Sequence, residues 1–185
     1  MALGPEQRSL SLPDELERLR LNGRASDAQF AQNPLPVAQA MGRSLARLHA
    51  SARPGGLASR TTVEVEAARQ ALDHGNPLPT PFTRVRRSVL LDMLETPPEM
   101  SAPVLTHGTP IVSMAVLTDS IATFEPCGTE GWDPPERDLS IVMRSIAETF
   151  TSEVARTFLD GYEETGGALP HGPTLDWYAL VAAFR

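Results

Sequence analysis

Apolar residues first recur at helical spacing after Pro36, where Val37, Met41, Leu45 and Leu48 form one stripe that ends near Arg53-Pro54-Gly55-Gly56. A second helix is predicted from about Val63 to Leu72, stopped by Gly75-Asn76-Pro77, and a third from Thr83 to Leu94, closed by Pro97-Pro98. Upstream, Met1 to Asn33 is polar; only Leu16, Leu19 and Leu21, behind Pro13-Asp14, suggest a short amphipathic helix, so this stretch reads as an arm. Between Pro103 and Glu125 the period shortens. Val104-Leu105-Thr106 reads as a strand, and Ala115-Val116-Leu117 and Ile121 to Phe124 as a hairpin turning at Asp119-Ser120. A loop rich in Gly, Pro and acidic residues follows, from Glu125 to Glu136. Helical spacing then returns in Leu139, Val142, Met143 and Ile146, and again in Val154, Phe158 and Tyr162 up to Gly166-Gly167. A last helix is predicted from Leu175 to Phe184, with Trp177, Leu180 and Val181 on one side. The fold class is α+β, mainly helical, with one small β-hairpin and no internal repeat.

With 185 residues, 41% hydrophobic and 21% charged, the chain has room for one core and an additional arm. A net charge of −7 opposes binding to nucleic acid or to an anionic membrane surface, because both reward a positive field. No apolar run approaches the length of a membrane span, and Met1 to Arg20 lacks the apolar stretch of a signal peptide, so a cytoplasmic protein is expected. Cys127 is the single cysteine, which excludes an internal disulfide and any multi-cysteine metal site. All 16 basic residues are arginine. Without lysine there is no Walker-type phosphate grip, no strand lysine over a nucleotide and no Schiff base.

Several short motifs occur in a telling order: Leu45-Ala46-Arg47-Leu48-His49-Ala50, Leu105-Thr106-His107-Gly108-Thr109, the hairpin, Glu125, Asp133-Pro134, Arg137-Asp138-Leu139 and Leu175-Asp176-Trp177-Tyr178. Together they resemble the C-terminal lobe of the aminoglycoside phosphotransferase and choline kinase-like family, over roughly residues 36–185. The resemblance implies a truncated protein-kinase-like C-lobe whose β-rich N-terminal lobe is absent, residues 1–35 forming the arm. In that family an aspartate serves the attacking hydroxyl, and an asparagine and a second aspartate hold magnesium. The matching positions here are Thr109, Met114 and Glu125. Threonine is no carboxylate base, and a thioether is a poor ligand for a hard cation. Glu125 alone keeps a carboxylate and is the one metal-ligand candidate. The spacing from Asp133 to Asp138 is also one residue longer than the family's.

Each candidate has a plainer role beside its functional one. His107 matches the family's loop histidine, usually structural. Cys127 is a nucleophile if His107 meets it and a small filler if not. Glu125, Glu130, Asp133, Glu136 and Asp138 can attract a cation, an amine or a basic peptide. Equally, Asp133 can cap a helix, and Asp138 can tie the loop to backbone amides, as the resemblance implies. Asp176 and Tyr178 join the ligand-binding candidates through the tail motif. Arg84, Arg86 and Arg87 read as a solvated basic face. His49, His74 and His171 show no metal-ligand spacing such as His-Glu-x-x-His, so a zinc site is not expected.

These residues lead to a degenerate, pseudokinase-like protein acting as a non-kinase accessory or binding protein in a small-molecule, peptide-modifying or natural-product pathway, with no cofactor. Either the N-terminal arm folds over the face left by the missing lobe, or a homodimer or heteromeric partner is expected to cover it. Two alternatives stand beside it. One is an enzyme with repurposed acid, base or nucleophilic chemistry at His107, Glu125 or Cys127, and the other is residual phosphoryl transfer with a partner lobe.

Overall fold

The stripe of Val37, Met41 and Leu45 is the buried spine of helix α1 (Pro34–His49). The helix starts two residues before Pro36 because proline suits a helix's first turn, where no intrahelical N–H is needed. The computed structural model describes residues 22–52, 55–78, 80 and 82–184, so the helix expected at Leu16 to Leu21 lies outside the described residues. Among the described residues, five further helices follow: α2 (Thr61–Asp73), α3 (Arg87–Glu95), α4 (Glu136–Thr149), α5 (Ser152–Glu164) and α6 (Gly172–Ala182). None is long and apolar enough to cross a membrane.

Three short strands form one antiparallel sheet in the order β1 (Gly23–Arg24), β3 (Ala115–Thr118), β4 (Ile121–Phe124). The hairpin turns at Asp119 and Ser120 as expected, with φ of 47° and 65°, the left-handed pair that a tight two-residue turn requires. β2 (Val104–Thr106) pairs instead with β5 (Gly131–Asp133), Leu105 facing Trp132.

The structure departs from the sequence expectation at three places. β5 lies inside the stretch expected to be a loop; its strand character comes from pairing with β2, since only Trp132 among its three residues is a strand former. The helix expected from Thr83 to Leu94 is divided into a 3-10 turn (Phe82–Arg84) and α3. Arg86 between them is extended, and the Arg87 guanidinium caps the carbonyls of Leu72, Gly75 and Asn76 at the end of α2. Residues 22–33, expected to belong to the arm, are knit into the fold. β1 pairs with β3, and Ala25 and Phe30 are buried in the main core.

Apolar faces meet in two clusters. The larger joins α1, α4, α5 and the three-stranded sheet through Met41, Leu45, Leu117, Val142, Ile146 and Phe158. The smaller joins α2, α3 and α6 around Leu72, Leu90, Trp177 and Leu180, with the Trp177 indole donating to the Met93 carbonyl at 2.9 Å. α1 and α5 approach so closely that glycine is required on each. A Cβ on Gly42 would strike the Phe158 carbonyl, and one on Gly161 the Gln39 carbonyl. Gly42→Ala is therefore expected to lower stability by about 1–3 kcal/mol through forced separation of the pair, as measured by urea unfolding.

Candidate functional site

The path of the chain from β2 through His107, Gly108 and Thr109 is set by Asp138, the third residue of α4. Asp138 is fully buried; its Oδ2 accepts the His107 amide at 2.6 Å and its Oδ1 the Gly108 amide at 2.9 Å, charge-assisted bonds of the stronger kind. Gly108 adopts φ of 91°, and a Cβ there would strike the Thr129 carbonyl, so only glycine serves. His49, at the end of α1, places Nε2 at 3.3 Å from Asp138 and Nδ1 at 2.7 Å from the Tyr162 hydroxyl. Burial first, then the charges of Glu136 and Asp138, push the Tyr162 phenol far above its usual range, so its hydroxyl stays protonated beside Nδ1. The sequence role of Asp138 as a tie to backbone amides is the one the structure displays.

His107 is buried against Phe124, with ring centroids 5.5 Å apart. Its Nε2 lies 2.7 Å from the Glu125 carbonyl, which can only accept, so the ring N–H is on Nε2 and Nδ1 carries the lone pair. Around Nδ1 stand the Thr109 amide at 3.3 Å and the Cys127 thiol at 3.8 Å. The histidine and cysteine that the sequence leaves unconnected therefore meet. Cys127 Sγ is also 2.9 Å from Thr129 Oγ1, which in turn is 3.1 Å from Thr109 Oγ1. Glu130 folds back over this loop, its Oε1 accepting the Cys127 amide at 2.9 Å and the Gly128 amide at 3.2 Å. Burial works against its charge, but its own amide and those of Cys127 and Gly128 hold the carboxyl below its ordinary range.

The remaining candidates lie elsewhere. The Glu125 carboxylate is forked by Arg24 at 2.6 and 3.1 Å, both side chains half-exposed, and the same guanidinium donates to the Ser113 carbonyl at 2.9 Å. Met114 ends a 3-10 turn, and its carbonyl accepts the Glu125 amide at 2.9 Å. Asp133 is buried under the start of α2, accepting the Ser59 hydroxyl at 2.6 Å and the amides of Arg60 and Thr61 at 3.0–3.1 Å. Tyr178 is buried in the smaller cluster with its hydroxyl 3.2 Å from Thr61 Oγ1, while Asp176 is exposed on α6. Arg24 and Thr129 are participants that sequence reasoning misses. Neither carries a motif, and Arg24 lies in a stretch whose polarity suggests an arm.

Beside the loop opens a cavity of about 510 Å³ walled by Leu48, Ile121 and Phe124, with Arg47, His107 and Glu130 as its charged or polar lining. An apolar pocket with a few convergent polar groups is the usual form of a small-molecule site.

This helical core, with its loop tied by Asp138, its hairpin and its second helical cluster, is the C-terminal-lobe fold of the kinase-like phosphotransferases. Aminoglycoside-3'-phosphotransferase of type VIII superposes with a TM-score of 0.71 at 22% identity, over 89% of this chain and 66% of that one. Aminoglycoside phosphotransferase APH(3'')-Id from Streptomyces rimosus, solved with ADP and streptomycin, gives 0.64 at 19% identity over 89% and 67%. A choline/ethanolamine kinase family protein from Mesorhizobium loti gives 0.61 at 14% identity over 89% and 55%. The chain thus spans between about half and two thirds of the length of these solved chains. No family model matches the sequence, and no curated protein is significantly similar to it.

Burial opposes the charge of Asp133, yet the Ser59 hydroxyl and the Arg60 and Thr61 amides hold its pKa below the ordinary 3.8. Its contribution to stability is complete above that ordinary value and is lost as pH falls through the lower folded one. Asp133→Asn is expected to cost about 2 kcal/mol at neutral pH, with the difference from the parent shrinking below about pH 4 in urea unfolding followed across pH.

Proposed function

We propose that this chain is a ligand-binding protein on the phosphotransferase C-terminal fold, in which carboxylate-driven phosphoryl transfer has given way to holding a molecule in the cavity beside the former catalytic loop. The observation that carries this reading is the Arg24 fork on Glu125. Of the three positions that resemblance assigns to the hydroxyl base and the metal, Glu125 alone has a carboxylate, and a guanidinium already neutralises it. Thr109 supports the same reading, its hydroxyl engaged with Thr129 and without a carboxylate's basicity. Met114 offers only a thioether to a cation that takes oxygen.

The cavity indicates the kind of ligand. Leu48, Ile121 and Phe124 suit an apolar body, and the Arg47 guanidinium and the Glu130 carboxylate in the same lining suit a ligand with a charged or polar end. A protein with this property serves as an accessory in a small-molecule- or peptide-modifying pathway. Calorimetric titration with ATP, with and without magnesium, tests the loss of phosphoryl transfer. The expected result is no saturable heat at millimolar ATP. Saturable, magnesium-dependent binding that weakens on Glu125→Ala would overturn the reading and return nucleotide chemistry to this fold.

A further inference from the structure

Three donors of different chemistry converge beside the cavity. His107 Nδ1, Cys127 Sγ and a carboxylate oxygen of Glu130 all lie within 4.8 Å of one another. We propose that these three residues bind a zinc ion whose fourth position opens toward the cavity. This deepens the ligand-binding reading, on which it rests for the cavity and not for the donors.

The chemistry of the set favours a borderline-soft divalent ion. Imidazole, thiolate and carboxylate together match zinc, whereas magnesium requires a shell of oxygens. The geometry is near what such an ion needs. Zinc bonds of about 2.3 Å to sulfur and 2.0 Å to nitrogen at a tetrahedral angle set the two atoms about 3.5 Å apart. The Sγ to Nδ1 separation is 3.8 Å, so that pair closes by a few tenths of an ångström, and the Glu130 oxygen, within 4.8 Å of both, closes by rotation of its longer side chain. The lone pair is already aimed by the outer bond that metal-binding histidines make, Nε2–H donating to the Glu125 carbonyl at 2.7 Å. The contact displaced is the long one from the Thr109 amide at 3.3 Å. Two amides fix Glu130 through Oε1, and Arg60 steadies the loop by donating to the Gly128 carbonyl at 3.1 Å. Among the described residues no arginine forms a salt bridge with Glu130. His107 and Glu130 both line the cavity, which leaves the fourth position facing it for water or a ligand atom.

A free nucleophilic thiol is the rival use of the same residues. The amides of Cys127 and Gly128, which an acyl-transfer site would aim at an oxyanion, are already taken by Glu130. On zinc binding the S–H bond breaks, a metal–sulfur bond forms and the proton passes to buffer.

The test is titration of the chelator-stripped full chain with cobalt(II) as spectroscopic probe, followed by displacement with zinc. One equivalent of cobalt is expected to release a proton and bring a near-ultraviolet sulfur-to-metal charge-transfer band with the visible bands of a tetrahedral site, and zinc to abolish both bands without further proton release. Cys127→Ser is expected to remove the charge-transfer band. Glu130→Gln is expected to keep it at saturation, and each variant to weaken zinc binding at least about tenfold. Absence of the band in the parent at saturating cobalt overturns the proposal, as does zinc affinity unchanged in either folded variant. The parent spectrum decides even where a variant fails to fold. Because no nucleotide is present, this outcome and that of the ATP titration are separable.

Discussion

A single buried carboxylate governs the site. Asp138 sits in the first turn of α4, where the helix dipole favours negative charge, and it takes the amides of His107 and Gly108 together with the His49 ring. Three elements distant in sequence are thereby held to one point: the end of α1, the loop after β2 and the start of α4. Removing that acceptor would leave two buried amides and the Nε2 of a buried imidazole without a partner, a penalty well beyond one ordinary hydrogen bond. The cavity wall inherits its rigidity from this arrangement, since His107 can present its ring only while its backbone is fixed.

Asp138 is one of four charged residues between 133 and 138 that are all buried. Asp133 receives the start of α2, and Arg137 donates to the Glu64 carboxylate from Nε at 3.1 Å and from Nη2 at 2.5 Å, again on α2. The larger cluster contains α4 and the smaller contains α2, so this short charged segment is the polar joint between two apolar clusters. Burying so much charge is tolerable because nearly every atom is paired; the exceptions among these four residues are Glu136 Oε2 and Arg137 Nη1, the latter 3.7 Å from Asp138 Oδ1.

What the sequence makes legible is what depends on local pattern. Val37, Met41 and Leu45 are buried on one face of α1, and the Asp119-Ser120 turn closes the hairpin, because helical periodicity and tight turns are encoded within a few residues. The resemblance in motif order likewise anticipates the fold. The site is only half legible. His107 and Cys127 can be named as candidates, but their meeting across 20 positions depends on the loop's course, which is set by Asp138 and Glu130. Arg24 and Glu125 are 101 positions apart, and nothing local to either marks the pair. β1 and β5 are strands only because a neighbour offers an unpaired edge, so their residues carry little strand signal of their own. The expectation against zinc rests on helical histidine spacing, a pattern blind to donors that loops bring together.

The residues that fix the loop are largely separate from those that give it chemistry. Asp138 acts on backbone amides, Gly108 acts through its backbone angle, and His107 anchors itself to a carbonyl through Nε2 while Nδ1 makes only the longer contacts with the Thr109 amide and the Cys127 thiol. The side chains at Thr109, Met114, Cys127 and Glu130 are under no such obligation to the backbone path, apart from the two amides that Glu130 gathers. A loop built this way can exchange hard oxygen donors for a thiol and an imidazole while its backbone stays in place. The Arg24 fork on Glu125 is likewise made by side chains and leaves the main chain of the loop untouched. Retention of the fold and a change in side-chain chemistry are therefore compatible within one short segment, because one is carried by the main chain and the other by side chains.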